Sequence, residues 1–127
     1  MPSRLKIFLF YWLPVIAYCL VIYIQSGQPS PESLPSFEFS DKLLHLSAYA
    51  VMGMLFYRAY RTLPLKNNMQ LLLLSMISAS LYGISDEIHQ SFVPSRDAEL
   101  LDVVADILGA AAGVYLYHLW VNRKARV

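Results

Sequence analysis

Four apolar segments separated by short polar connections dominate this chain of 127 residues. The first is uncharged over 18 residues. As a helix it would be about 27 Å long, close to the ~30 Å hydrocarbon core of a bilayer. Pro14 lies within it and predicts a kink. Because the connections are short, successive helices should cross in alternating directions. The pattern predicts one all-α domain over residues 1–127, a polytopic four-transmembrane-helix bundle with helices at about residues 7–24, 43–57, 69–85 and 103–121.

Composition agrees with a membrane protein. The chain is 57% hydrophobic and 15% charged, with a mean hydropathy of +0.44, which is more apolar surface than a soluble domain of this size could bury. The basic residues form no single stripe, so we expect no nucleic-acid partner. Cys19 is the only cysteine, which excludes an internal disulfide.

Basic residues are divided unequally between the two sides of the predicted bundle. Only Lys42 and Arg96 lie in or beside the first and third connections, against eight basic residues in the termini and the second connection. The positive-inside rule then places both termini in the cytoplasm and the acidic connections outside. We expect a multi-pass protein of the bacterial inner (cytoplasmic) membrane. The eight residues are Arg4, Lys6, Arg58, Arg61, Lys66, Arg123, Lys124 and Arg126.

Three helix ends at the predicted outer surface carry ionisable residues at helical spacing. Asp41, His45 and Tyr49 share one face of the second helix. Asp86 and Gln90 share a face where the third helix ends, with Glu87 beside them and His89 on the same side. The sequence therefore indicates a polar cluster at this end of the bundle.

The fourth helix adds a stripe formed by Asp102, Asp106, Gly109 and Gly113. The two glycines have the spacing that lets another helix approach closely, so the stripe should face the bundle. Asp106 would then point inward. An ionisable residue below the membrane interface is a functional candidate by default.

These residues suggest roles, each with a structural alternative. The candidate proton-transfer group is His45 paired with Asp41, or Glu87. Asp41 and Asp102 equally fit helix N-terminal caps, His45 fits a satisfied bundle histidine, and Glu99 fits a solvated surface. The candidate ligand-binding residues are Lys42, Asp86, Gln90, Arg96, Asp102 and Asp106.

No cofactor is expected from the sequence. A metal ion could in principle be bound by His45, His89, Asp86 and Glu87, but these residues have no recognised metal spacing. We therefore predict no metal site. No Ser or Cys nucleophile has a convincing partner either.

The same residues resemble the VanZ-like family. The similarity runs from about Asp41 to Gly113, and its most specific part is the block around Asp86, Glu87 and Pro94. The resemblance implies a small integral membrane protein of bacteria, some of whose relatives are linked to resistance to the glycopeptide antibiotic teicoplanin. It implies no established reaction. The full pattern is Asp41-Lys42-x-x-His45-x-x-x-Tyr49, Tyr82-Gly83-x-x-Asp86-Glu87-x-x-Gln90-x-Phe92-x-Pro94-x-Arg96, Asp102 and Asp106-x-x-Gly109 with Gly113.

Two functions compete at this point. In the first, an outward-facing pocket binds or modifies an anionic cell-envelope molecule, such as a membrane lipid or a lipid-linked precursor, with helix N-termini, Lys42 and Arg96 facing the phosphate. In the second, the cluster is structural and the protein is a non-enzymatic scaffold or partner-binding protein. A transporter ranks third, because four spans with few ionisable groups at mid-depth make a poor pathway unless the chain forms an oligomer.

Overall fold

The computed structural model describes residues 1–28, 40–94 and 98–126, and these ranges are helical apart from short turns. The predicted all-α architecture is confirmed over this part of the chain. The helices are Arg4–Ser26 (α1), Ser40–Tyr60 (α2), Asn68–Ser91 (α3) and Leu100–Ala125 (α4).

Helix α1 is irregular near its start. A π-helical turn, Phe8–Trp12, separates Arg4–Ile7 from Leu13–Ser26. Pro14 has no N–H to donate to the preceding turn, and a widened turn is one way for a helix to accommodate that loss. The π-helical turn ends two residues before Pro14, the position at which the sequence predicts a kink.

Helices α3 and α4 extend further toward each other than predicted. Helix α3 continues to Ser91 and helix α4 begins at Leu100, so the connection between them is shorter than the predicted span from Asp86 to Asp102. The cause is burial of the polar residues at these ends, because Asp86, Glu87 and Asp102 pack inside the bundle. Polar composition predicts a loop at these positions, whereas the chain forms helices whose polar faces are buried.

The four helices alternate in direction, as predicted. The last turns of α1 and α3 meet where Ser26 donates a hydrogen bond to Asp86. The first two turns of α2 and α4 lie at the same end, where Lys42 meets Asp102 and His45 meets Asp106. We call this the acidic end. At the opposite end, the Tyr57 hydroxyl lies 2.6 Å from His118 Nδ1.

Helices α2 and α4 make the closest helix pair. A Cβ atom added at Gly109 would overlap the carbonyl oxygen of Leu46, and one at Gly113 would overlap that of Ala50. From the other side, a Cβ at Gly53 would lie 2.6 Å from the carbonyl oxygen of Ala110. The prediction that the glycine stripe faces the bundle is confirmed, and Asp106 on the same stripe is 0% exposed.

The outer surface of the bundle is apolar. Three helices, α1, α3 and α4, are long and apolar enough to cross a membrane. Large side chains such as Leu20, Leu81 and Leu116 are more than half exposed, as expected where lipid rather than water surrounds a helix. Helix α2 has 21 residues, but charged residues near both ends lower its hydropathy.

Candidate functional site

The acidic end brings together eight of the nine residues that the sequence singles out for the site. Each helix contributes at this end, and no local sequence element could supply the cluster alone. Arg96, the ninth, lies outside the described residues. The eight are Asp41, Lys42, His45, Asp86, Glu87, Gln90, Asp102 and Asp106.

His45 is at the centre of this cluster. Its Nδ1 atom lies 2.8 Å from Asp106 Oδ1, and its Nε2 atom lies 3.8 Å from one oxygen each of Asp41 and Asp102. The hydrogen-bond partner is therefore Asp106 of α4 rather than Asp41 of its own helix. The glycine contact explains this, because it brings α4 against α2, whereas the Asp41 side chain is 58% exposed at the rim.

Lys42 is shared among three carboxylates. Its ammonium lies 2.6 Å from Glu99 Oε2, 2.6 Å from Asp102 Oδ1 and 3.4 Å from Asp41 Oδ2. Asp102 is in the first turn of α4, where a carboxylate also favours the helix dipole. The Asp102 side chain is only 4% exposed, so Lys42 is its main compensating charge among the described residues.

Asp86 ties the end of α1 to the rest of the bundle. It accepts hydrogen bonds from the Ser26 hydroxyl and, at 2.9 Å, from the Tyr49 hydroxyl. Gln90 donates to the same Ser26 hydroxyl at 3.3 Å. Because both oxygens of Asp86 are bonded, this part of the cluster is consistent with a structural connection.

Glu87 and Asp106 are each bonded through one oxygen only. Glu87 Oε1 accepts the backbone N–H of Glu99 at 2.7 Å, and this N–H belongs to the residue that caps α4. Glu87 Oε2 and Asp106 Oδ2 are buried and have no hydrogen-bond partner among the described residues. Within the described part of the site, these are the buried carboxylate oxygens that lack a partner.

In the part of the chain that the structure describes, two groups of side chains are close enough to hold a metal ion, and both include His45. One consists of Asp41, His45 and Asp102, and the other of His45, Glu87 and Asp106. Within each group, one ligand atom per residue lies within 4.8 Å of the others. His89 is in neither group; its ring stacks on Tyr23 with the ring centroids 4.6 Å apart.

Some members of the cluster were not predicted. Ser26 lies two residues after the first apolar run, and nothing in its local sequence indicates a contact with Asp86 sixty positions away. For Glu99, the sequence favours a place on the solvated surface. Its side chain is 50% exposed but binds Lys42. Only the helix packing connects these residues.

A cleft of about 500 Å³ opens between α2 and α4 beside the cluster. Polar side chains form its rim and apolar side chains form its floor. This arrangement suits an amphiphilic molecule with its polar group at the rim. The rim consists of Asp41, Lys42 and Glu99, and the floor of Leu46, Leu101, Val104, Ala105 and Leu108.

These features define an all-helical membrane protein with a histidine–carboxylate cluster buried at one end. The model of the VanZ/LLP1 family matches residues 8–121. The chain therefore belongs to the VanZ/LLP1 family, as the resemblance predicted, and this family is linked to teicoplanin resistance in general. No curated protein and no solved structure matches the chain.

Proposed function

We propose that this chain is a multi-pass protein of the bacterial inner membrane whose acidic end faces the exterior and binds or modifies an anionic envelope lipid or lipid-linked precursor. On this proposal all four helices cross the membrane and both termini lie in the cytoplasm. The distribution of eight of the ten basic residues supports the orientation. Helix α2 packs against α3 and α4. This packing supports the proposal that α2 crosses the membrane, because its ionisable residues can lie on a face buried within the bundle.

The cleft between α2 and α4 is the observation that carries the ligand class. Its apolar floor runs along α4 from Leu101 to Leu108, and its rim is charged. A lipid headgroup at the rim with an acyl or isoprenoid chain on the floor would match both parts. A purely polar solute would leave the floor without a partner.

Two cations, Lys42 and Arg96, indicate a negative charge on the headgroup. Of the carboxylates around Lys42, Asp41 and Glu99 are 58% and 50% exposed, so a phosphate can displace them while buried Asp102 stays. Arg96 is the other basic residue predicted on the outer side, and a guanidinium grips phosphate at two points. Lys42 and Arg96 therefore favour an anionic headgroup.

If a reaction follows binding without a metal ion at the site, His45 is the best candidate to move a proton. Asp106 orients its ring through Nδ1, which leaves Nε2 directed toward Asp41 at the rim and toward the buried Asp102. A carboxylate that orients a histidine in this way is common in proton-transfer sites. Glu87 is the second candidate.

A non-enzymatic scaffold is the alternative function, and one observation favours it. Asp86 has both oxygens bonded by Ser26 and Tyr49, and Lys42 is shared among carboxylates. Such mutual bonding is expected when polar groups hold helices together. On this alternative the cluster would need no ligand.

Filling the cleft tests the lipid proposal. Val104 lines the cleft and is 43% exposed, so Val104→Trp should block it without disturbing the core. In nanodiscs we expect this variant to retain phosphatidylglycerol or undecaprenyl phosphate about tenfold less than the wild type, which corresponds to about 1.4 kcal/mol. Native mass spectrometry of the full chain measures the retention.

The matched control is Leu116→Trp, at an exposed position on the same helix outside the cleft lining. It should retain lipid like the wild type. Equal retention by both variants would refute the cleft as the binding site. If phosphatidylcholine were retained as well as the two anionic lipids, the anionic headgroup would be refuted.

A further inference from the structure

Among its described residues, the acidic end contains more buried carboxylates than cations to balance them. Lys42 and His45 are the described basic side chains that form ion pairs there, and Lys42 is also shared with exposed Asp41 and Glu99. A buried carboxylate is costly unless a cation or hydrogen bonds compensate it. Four carboxylates are at most 6% exposed: Asp86, Glu87, Asp102 and Asp106.

The shortage of partners is confined to two of these four residues. Asp86 is bonded through both oxygens, and Asp102 pairs with Lys42. Glu87 Oε2 and Asp106 Oδ2 are buried without a partner among the described residues, on side chains 5% and 0% exposed. The unmet bonding capacity therefore lies beside His45, not over the whole cluster.

The geometry at this point fits a metal ion. His45, Glu87 and Asp106 each offer a ligand atom, and these atoms lie within 4.8 Å of one another. At Zn²⁺ bond lengths, ligand atoms lie roughly 3.4 Å apart in a tetrahedron and about 4.2 Å apart across the ion. Side-chain shifts of about 1 Å would bring all three within bonding distance of one ion.

We propose that His45, Glu87 and Asp106 form a binding site for a divalent transition-metal ion, with Zn²⁺ the best match. Imidazole favours Zn²⁺ over Mg²⁺ or Ca²⁺, and the two carboxylates neutralise its charge. Three protein ligands leave a fourth position open, which is the arrangement of catalytic rather than structural zinc sites.

The site differs from the sequence-based expectation of no metal for a simple reason. Its ligands come one each from α2, α3 and α4, so no local spacing could reveal them. An ion at this position would also join three helices. The open position on the ion could also bind the phosphate of a lipid headgroup. That role rests on the proposed function, whereas binding of the ion itself does not.

Zinc binding to the full-length protein in detergent, with any affinity tag removed, tests the site. After treatment with EDTA, we expect wild type to take up one Zn²⁺ per chain, measured by mass spectrometry of the metal, in the presence of excess Mg²⁺. Glu87→Gln and Asp106→Asn should weaken Zn²⁺ binding about 100-fold or more in a chelator competition. Loss of a residue that only orients a metal ligand can already weaken metal binding about 100-fold.

Asp86→Asn is the matched control, since it removes a neighbouring buried carboxylate whose oxygens already have partners. It should leave Zn²⁺ affinity within about threefold of wild type, less than 1 kcal/mol. If Asp86→Asn lowered the Zn²⁺ affinity equally, the effect would come from general negative charge, and the proposed site would be overturned. The site would also be overturned if Asp41→Asn and Asp102→Asn lowered the Zn²⁺ affinity while Glu87→Gln did not.

Two measurements on the wild type alone test the site even if a variant fails to fold. Absence of stoichiometric Zn²⁺, or a Co²⁺-substituted protein without the absorption of nitrogen- and oxygen-bound Co²⁺, overturns the proposal with no variant needed. Lipid retention separates the two proposals. Normal Zn²⁺ binding with no retention of anionic lipid would refute only the lipid function, and the reverse result would refute only the metal site.

Discussion

Among single residues, Lys42 separates the ligand-binding and structural interpretations most clearly. It is a candidate anion contact, yet its ammonium lies 2.6 Å from Asp102 Oδ1. The Asp102 side chain is 4% exposed and that of Lys42 is 24% exposed. Removing the lysine would leave Asp102 buried with little compensation, which is far more costly than breaking an exposed ion pair.

We predict that Lys42→Met lowers the free energy of unfolding by about 3 kcal/mol, the lower end of the range for breaking a buried pair. Glu99→Gln should cost less than about 1 kcal/mol, because its side chain is 50% exposed. Thermal unfolding in detergent measures both changes.

The double variant Lys42→Met with Asp102→Leu is the control for this prediction. It removes both charges and should recover most of the stability lost in Lys42→Met, since a buried pair can often be replaced by apolar residues. Lys42→Met with wild-type stability and lower lipid retention would contradict the structural role and leave Lys42 as a ligand contact.

Among the helices, α2 and α4 determine the geometry of the site. Their close approach depends on positions without side chains, since a Cβ at Gly109 or Gly113 would overlap a backbone carbonyl of α2. The same approach brings Asp106 within 2.8 Å of His45. Stability and the site are therefore coupled through one helix pair.

We predict that Gly109→Ala and Gly113→Ala each destabilise the protein by about 3 kcal/mol or more, the upper range for overpacking, because a carbonyl cannot rotate away as a side chain can. The control is Gly27→Ala, where the nearest atom to an added Cβ is 3.5 Å away. Thermal stability in detergent measures all three. Wild-type stability of Gly109→Ala would show that α4 does not pack on α2 through this stripe.

The helix faces could be predicted from the sequence, and the partners of those faces could not. Spacing of four along a helix placed His45 on the face of Asp41 and placed Asp106 on the glycine stripe, because helical geometry alone determines a face. The pairing of His45 with Asp106 depends on how α4 rotates against α2. The contacts of Glu87 with Glu99 and of Asp86 with Ser26 depend on helix packing in the same way.

The predicted end of α3 and the predicted start of α4 were wrong for a related reason. Charged residues near Asp86 and Asp102 resemble a loop in composition, but burial with partners keeps them helical. Helix α2 is a second example of the effect of local polarity. Charged residues near its ends lower its hydropathy below that of α1, α3 and α4. Local polarity cannot distinguish a solvated turn from a helix that buries its polar face.

For the whole molecule, the two ends of the bundle differ in charge. The six described acidic residues, Asp41, Asp86, Glu87, Glu99, Asp102 and Asp106, all lie at the acidic end. At the other end, Arg58 lies over the Tyr11 ring and Lys124 over the Trp120 ring. Such polarity is what the positive-inside rule uses to orient a membrane protein.

This polarity predicts that both termini lie in the cytoplasm and that the acidic end faces the exterior. In a Cys19→Ala background, a membrane-impermeant thiol reagent applied to intact cells should modify a cysteine introduced at Ser36 or Ser95, in the two connections predicted to lie outside. It should spare a cysteine at Asn68, which is exposed at the start of α3, until the cells are opened. Modification at Asn68 with protection at Ser36 and Ser95 would invert the orientation. The cleft and the histidine–carboxylate cluster would then face the cytoplasm, out of reach of an external envelope precursor.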